Sequence, residues 1–287
     1  MTAVLKHELS GYFHSLTAYI FSAFLLAFVG IGAMLYNIQS AVANFEYVLS
    51  FVCLGFVIVI PILTMRVIAE EKKQKTDQLL YSLPIKTSEV VAGKYLALLL
   101  VFLAPLCIVC VYPLIFAQYG EVYLLTSYGS LFAFFLLGAA LIAIGVFISS
   151  LTENQGFAAG ITIPVILLNY YSVSLAEHVT ATAFGSFAAL CVFAVVIGVV
   201  IRFLTQNENL AYGISILLII ILGVAYFVDS AKFEGLLPDI MTKLSLFERF
   251  YSFVNGVFDL TAIVYYVTVI IFFLFLSVQS LEKRRYN

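Results

Sequence analysis

The chain has 287 residues, 63% of them hydrophobic and 10% charged, with a mean hydropathy of +1.11. A soluble domain is about half apolar and about a quarter charged, and no single globular core hides this much apolar surface. The composition therefore excludes a soluble enzyme and a disordered chain. A balance of 14 Lys+Arg against 16 Asp+Glu also excludes a nucleic-acid binder, which needs a concentrated basic face.

Residues 1–14 are too short and polar to cross a membrane. Leu5, Leu9, Phe13 and Leu16 recur at helical spacing, with Lys6, His7, Ser10 and His14 on other faces, which predicts an interfacial amphipathic helix. Runs of about 20 apolar residues, the length that spans a bilayer core, follow at 15–36, 46–67, 95–117, 125–149, 157–176, 183–203, 211–229 and 261–281. The expected fold class is an all-α integral membrane protein, a polytopic bundle of eight transmembrane helices. A β-barrel would show short alternating segments instead. The first run starts too late and is too long for a cleavable signal peptide.

With the N-terminus in the cytoplasm, eleven basic residues fall on the inner side: Lys6, Arg66, Lys72, Lys73, Lys75, Lys86, Lys94, Arg202, Lys283, Arg284 and Arg285. Only Lys232, Lys243 and Arg249 fall outside. The bias predicts a multi-pass protein of the cell (inner, cytoplasmic) membrane with both termini cytoplasmic. Cys53, Cys107, Cys110 and Cys191 all lie in predicted spans, where they act as small apolar residues. The Cys107/Cys110 pair has no His or carboxylate near it in sequence to complete a metal site.

The longest inner loop is 68–94. The second span is expected to continue outward as a charged helix, with Glu70–Lys73 and Glu71–Lys75 at supporting spacings. Thr76 is then the N-cap of a short turn carrying Leu79, Leu80 and Leu83, which Pro84 ends. Thr87 is expected to cap the return helix. The hairpin so formed presents leucines between Arg66, Glu70, Glu71, Lys72 and Lys73, a pattern that suits a docking knob better than a solvated loop.

Further on, Leu151–Ile163 and Leu204–Ile216 align with seven identities in thirteen positions. Both are predicted inner turns opening an outward-going helix, which reads as a duplicated helix pair. In the outer segment 230–260, Ile240, Leu244, Phe247, Phe250 (or Tyr251), Val254 and Phe258 recur at spacings of three and four. They predict one or two amphipathic helices in the outer leaflet, with Gly256 allowing a break before the last span.

No catalytic, cofactor-binding or metal residues are expected. Gly93-Lys94 lacks the upstream glycine and the Ser/Thr of a phosphate loop. The spans are nearly free of charge, with Glu46 and Asp229 at their outer ends, whereas ion-driven transporters keep ionisable groups at mid-membrane. Any energy must come from another chain.

Met65-Arg66-x-x-Ala69-Glu70-Glu71-Lys72, then Thr76-Asp77-x-Leu79-Leu80-x-x-Leu83-Pro84 and Gly93-Lys94, resembles the coupling-helix region of type-2 ABC exporter permeases. Ser149-Ser150-Leu151-Thr152-Glu153-Asn154-Gln155 is similar to their turn after the fourth span. Ser245-Leu246-Phe247-Glu248-Arg249-Phe250-x-x-Phe253-x-x-Gly256-x-x-Asp259 with Arg284-Arg285 resembles the branch of gliding-motility and copper-enzyme-maturation permeases. The resemblance implies a single permease domain over 1–287, paired with a second, identical or homologous permease and with a dimer of cytoplasmic ABC ATPases that bind ATP and Mg. Arg66, Glu70, Glu71, Lys72, Lys73, Thr76, Leu79, Leu80, Leu83 and Pro84 would form the ATPase-coupling knob. The family has six spans, and the duplicated pair would account for eight.

The implied function is a permease moving a hydrophobic or amphipathic substrate outward on ATP hydrolysed elsewhere. The alternatives are a mechanical transmitter to an outer partner, with no substrate crossing, and an energy-independent channel or scaffold. The outer apolar face (Ile240, Leu244, Phe247, Phe250, Val254) would meet lipid, the companion permease or an extracytoplasmic accessory protein.

Overall fold

The computed structural model describes residues 1–76, 85–179, 181–205 and 207–286, and among these holds only helices, turns and irregular connections. In chain order the helices are α1 (Thr2–His14), α2 (Leu16–Ala33, continued by a π-turn Met34–Gln39), α3 (Glu46–Thr64), α4 (Ala69–Gln74) and α5 (Thr87–Val109). They continue with α6 (Tyr112–Phe116), α7 (Leu124–Leu151), α8 (Gln155–His178), α9 (Ala183–Thr205) and α10 (Glu208–Val228). The last three are α11 (Leu236–Leu244), α12 (Leu246–Val254) and α13 (Leu260–Tyr286). Among the described residues, eight stretches are long and apolar enough to cross a membrane, from Leu16–Gln39 to Leu260–Lys283, one for each predicted span. Helix is the form a lone apolar segment takes in lipid, because it satisfies every backbone group within the segment.

The chain divides into two compact units, 1–168 with 249–285, and 169–248 with 286–287. In the first, α7 packs against α3 and α5. A Cβ at Gly145 would collide with Thr64 Oγ1 and one at Gly138 with the Phe102 ring, so a larger residue at either would force its neighbour to shift. Lipid gives helices no hydrophobic reason to associate, so close backbone approach and hydrogen bonds must hold them. The hydrogen bonds are present: Ser127 Oγ donates to Glu46 Oε1 at 3.1 Å, Ser130 Oγ to the Phe253 carbonyl at 3.0 Å, and Tyr95 OH to the Ala139 carbonyl at 3.1 Å. Between them Phe134 packs on Phe56 (4.5 Å between ring centres), Phe102 and Phe250.

In the second unit α9 and α10 pack along each other, with Gly198 against Ser215. The 3-10 turn Ser230–Phe233 and α11 cover α9, where Phe187, Tyr226 and Phe233 form an aromatic cluster. Gly235, at φ +72°, donates its amide to the Ala181 carbonyl at 2.9 Å, a left-handed position that glycine occupies without strain.

The sequence repeat has a structural counterpart in its asparagines. Asn154 Oδ1 accepts the Gly156 amide at 2.9 Å where α8 opens, and Asn207 Oδ1 accepts the Leu210 amide at 3.2 Å where α10 opens. Each copy thus encodes the same event, a helix start whose orphan amide is met by an asparagine side chain.

Candidate functional site

The end of the first unit that carries α1 and α4 gathers most of its charge. The second span does not run on as one helix into this region. Helix α3 ends at Thr64, residues 65–68 turn, and α4 begins at Ala69. The cause is a tertiary cap: the amides of Ile68 and Ala69, both 3.2 Å from Ser149 Oγ, bond to that hydroxyl on α7, which in turn donates to the Met65 carbonyl at 3.3 Å. One serine from a distant helix thus serves the break that a local cap would otherwise have to serve.

Around this elbow the charges pair within α4 and its turn and with neighbouring helices. The Arg66 guanidinium holds Glu70 with two bonds (3.0 and 3.3 Å) and reaches Thr17 Oγ1 on α2 at 3.1 Å. Gln74 also donates to Glu70, at 3.3 Å. The buried Lys72 ammonium donates to the Ser150 carbonyl, which Ser280 Oγ of α13 also reaches at 3.0 Å. A cation and a hydroxyl thus serve a terminal carbonyl of α7, where the helix dipole favours positive charge. Glu71 turns to Lys94 on α5, with Oε1 2.6 Å from Nζ, and the same Nζ meets Glu8 Oε1 of α1 at 2.6 Å and the Val67 carbonyl at 3.2 Å. The helical pairs Glu70–Lys73 and Glu71–Lys75 expected from spacing give way to these; the side chains of Lys73 and Lys75 are exposed, and Lys75 closes α4 in the left-handed region, at φ 58°.

Helix α1 lies along α5. Its terminal ammonium is 3.0 Å from Glu89, and Val4 sits over Gly93, where a Cβ would approach Val4 Cγ1 to 3.1 Å. Helix α5 starts at Thr87 with Lys86 in the capping position and no side-chain cap, so the expected cap by Thr87 does not form; the threonine is buried instead. Tyr12 on α1 is buried, and burial first, then the nearby Glu8 charge, pushes its phenol well above the usual range. Between α1 and the elbow lies a groove of about 700 Å³, walled by Ala3, His7, Glu8, Arg66, Glu70 and Glu71.

Of the residues expected in the knob, Arg66, Glu70, Glu71 and Lys72 come together here, and Thr76 Oγ1 donates back to the Glu71 carbonyl at 3.4 Å. Leu79, Leu80, Leu83 and Pro84 lie outside the described residues. Sequence reasoning passes over Glu8, meets Ser149 and Ser150 only inside a motif, and counts Lys94 as an inner basic residue without a partner role. The available signal was a lysine at the mouth of an apolar span, since a charge that enters such a place needs a partner.

The apolar stripe from Ile240 to Val254 divides between the two units. In the second, Leu244 is exposed, Ile240 is half-buried, and Phe247 is buried with its ring 5.0 Å from Tyr170. Ser245, which accepts the Glu248 amide at 3.2 Å, starts α12 afresh and interrupts the helical register. In the first unit Phe250 is buried on Phe134, Val254 is half-buried, and Arg249 lies 4.1 Å over the Tyr265 ring. The two phenylalanines are thus committed to packing inside the chain. Among the described residues, no group of three or more His, Cys, Asp or Glu is placed to hold a metal ion.

A family model described as ABC-2 family transporter protein matches residues 20–176, more than half of the chain. The match takes in most of α2, all of α3 to α7 and most of α8, and so includes Arg66, Lys94, Ser149 and Ser150. No curated protein and no solved structure matches the chain.

Proposed function

As the chain belongs to the ABC-2 transporter family and is a multi-pass permease subunit of an ABC transporter, we propose that it moves a hydrophobic or amphipathic substrate out of the cell on ATP hydrolysed by a separate pair of subunits. In this reading both termini and the 68–94 segment are cytoplasmic, and a second permease, identical or homologous, completes the membrane part. Leu79, Leu80 and Leu83 seat in a groove on the ATPase, flanked by the charges of α4. The observation that carries the reading is the anchoring of α4: through Arg66, Glu71 and Lys72 this six-residue helix and its turn are tied to α2, α5 and α7. A displacement at the knob would therefore reach three spans at once. Substrate would leave laterally from the inner leaflet or through the permease interface, past surfaces that carry apolar side chains.

The test is Leu79→Asp with Leu80→Asp. Charge placed in an apolar contact costs several kcal/mol, about 2 to 7 even for an uncompensated polar group. The variant is expected to insert normally and to lose its ATPase on co-purification. Retained partner binding with full coupled ATP turnover would reject the reading.

A further inference from the structure

Lys94 is 1% exposed, and its ammonium has three acceptors on three different elements: Glu8 on α1, the Val67 carbonyl in the elbow turn, and Glu71 on α4. An ammonium has three donors, so this one spends each on a separate piece of the chain, 86, 27 and 23 residues away. The neighbouring Arg66–Glu70 pair is local, four residues apart, and both side chains are a third or so exposed. Such a pair gives little net stabilisation, so it cannot hold α1 to the elbow. Gly93 completes the seat, since a Cβ there would crowd Val4 at 3.1 Å.

We propose that Lys94 is a positioning residue that makes α1, the elbow and the start of α5 move as one body when force arrives at the coupling segment. This rests on the reading of 68–94 as that segment. Without Lys94, Glu8 and Glu71 lose the ammonium that each meets at 2.6 Å, and α1 loses this tie to the elbow.

The experiment uses the full permease–ATPase complex with its four native cysteines replaced. Spin labels go on Lys6→Cys of α1 and Gln74→Cys of α4, both exposed positions. Pulsed electron resonance then reads the distance between them with and without ATP. The parent complex is expected to give one narrow distance that ATP leaves unchanged. Lys94→Met is expected to broaden it and make it shift with ATP, to keep the ATPase bound with an unchanged KM for ATP, and to lower turnover about tenfold, within the ordinary range for coupling between sites.

A merely structural lysine behaves differently. Lys94→Met combined with Glu8→Gln and Glu71→Gln also removes the two carboxylate charges that Lys94 meets, so it should assemble with its ATPase at parental yield while the distance still shifts with ATP. If that triple variant regains both the fixed distance and full turnover, or if Lys94→Met alone keeps them, the proposal is overturned. Should Leu79→Asp with Leu80→Asp keep its ATPase, the coupling reading fails on its own. The distance between labels at 6 and 74 in the isolated permease would still report whether Lys94 ties the two helices.

Discussion

Helices α7 and α10 are nearly equal in hydropathy, yet 83% of the membrane window of α7 is buried within the chain and only 6% of that of α10. Hydropathy measures the cost of leaving water, and a lipid tail and a protein interior are alike in excluding it. What separates the two helices is the size and chemistry of particular side chains. Helix α7 carries Gly138, Ala139, Ala140, Ala143 and Gly145, which bring Phe102 and Thr64 into contact with it, and Ser127, Ser130 and Ser149, which bond to other helices. Helix α10 offers Ile216, Leu217, Ile220, Ile221 and Val224 outward, and a Cβ at its Gly213 or Gly223 would meet nothing within 4 Å. In a membrane, small residues and hydroxyls mark the inside better than large apolar ones do.

The largest expected effect that tests this contrast compares one residue type in two places. Phe134 is 1% exposed and Phe227 is 90% exposed. Phe134→Ala should destabilise the detergent-solubilised permease by about 3 to 5 kcal/mol, the usual cost of a large cavity, whereas Phe227→Ala should stay within about 0.5 kcal/mol. Thermal unfolding followed by size-exclusion chromatography reads both. A large loss at Phe227 would break the contrast and show that another chain covers that face.

Next come the glycines. Gly145→Ala forces a methyl into Thr64 and should cost about 1 to 3 kcal/mol. Gly213→Ala enters open space and should be neutral or gain up to about 1 kcal/mol from helix propensity. Equal outcomes in the same melting assay would mean that α3 and α7 can part at no cost. The smallest effect concerns what the two units share. Asn154→Ala and Asn207→Ala should each cost about 1 kcal/mol, with hydrogen-exchange protection lost in the first turn of α8 and of α10 respectively. A loss confined to one of them would mean that the repeat no longer encodes a common helix start.

The sequence read well where the relevant free energy belongs to single residues or short windows. The eight spans, the helix at 2–14 and the short helices within 230–260 all follow from local composition and spacing. It read poorly where a side chain had a choice of partner. From spacing alone Glu71 belongs with Lys75, four residues on, but a buried Lys94 offers a drier and stronger contact. Thr87 has the chemistry of a cap and is buried instead. The continuous helix expected after Thr64 is broken because Ser149, eighty residues away, accepts the Ala69 amide.

By itself, then, the sequence determined that this chain lives in lipid, how many times it can cross, and which turns open its helices, because transfer from water and helix capping act on a residue and its near neighbours. The tertiary structure alone decided which helices lie inside the chain, where the second span bends, and that Glu8 and Glu71 share one ammonium. Those outcomes depend on which distant groups meet. In a chain of nearly uniform hydropathy that meeting is governed by shape and hydrogen bonding, to which a window of residues is blind.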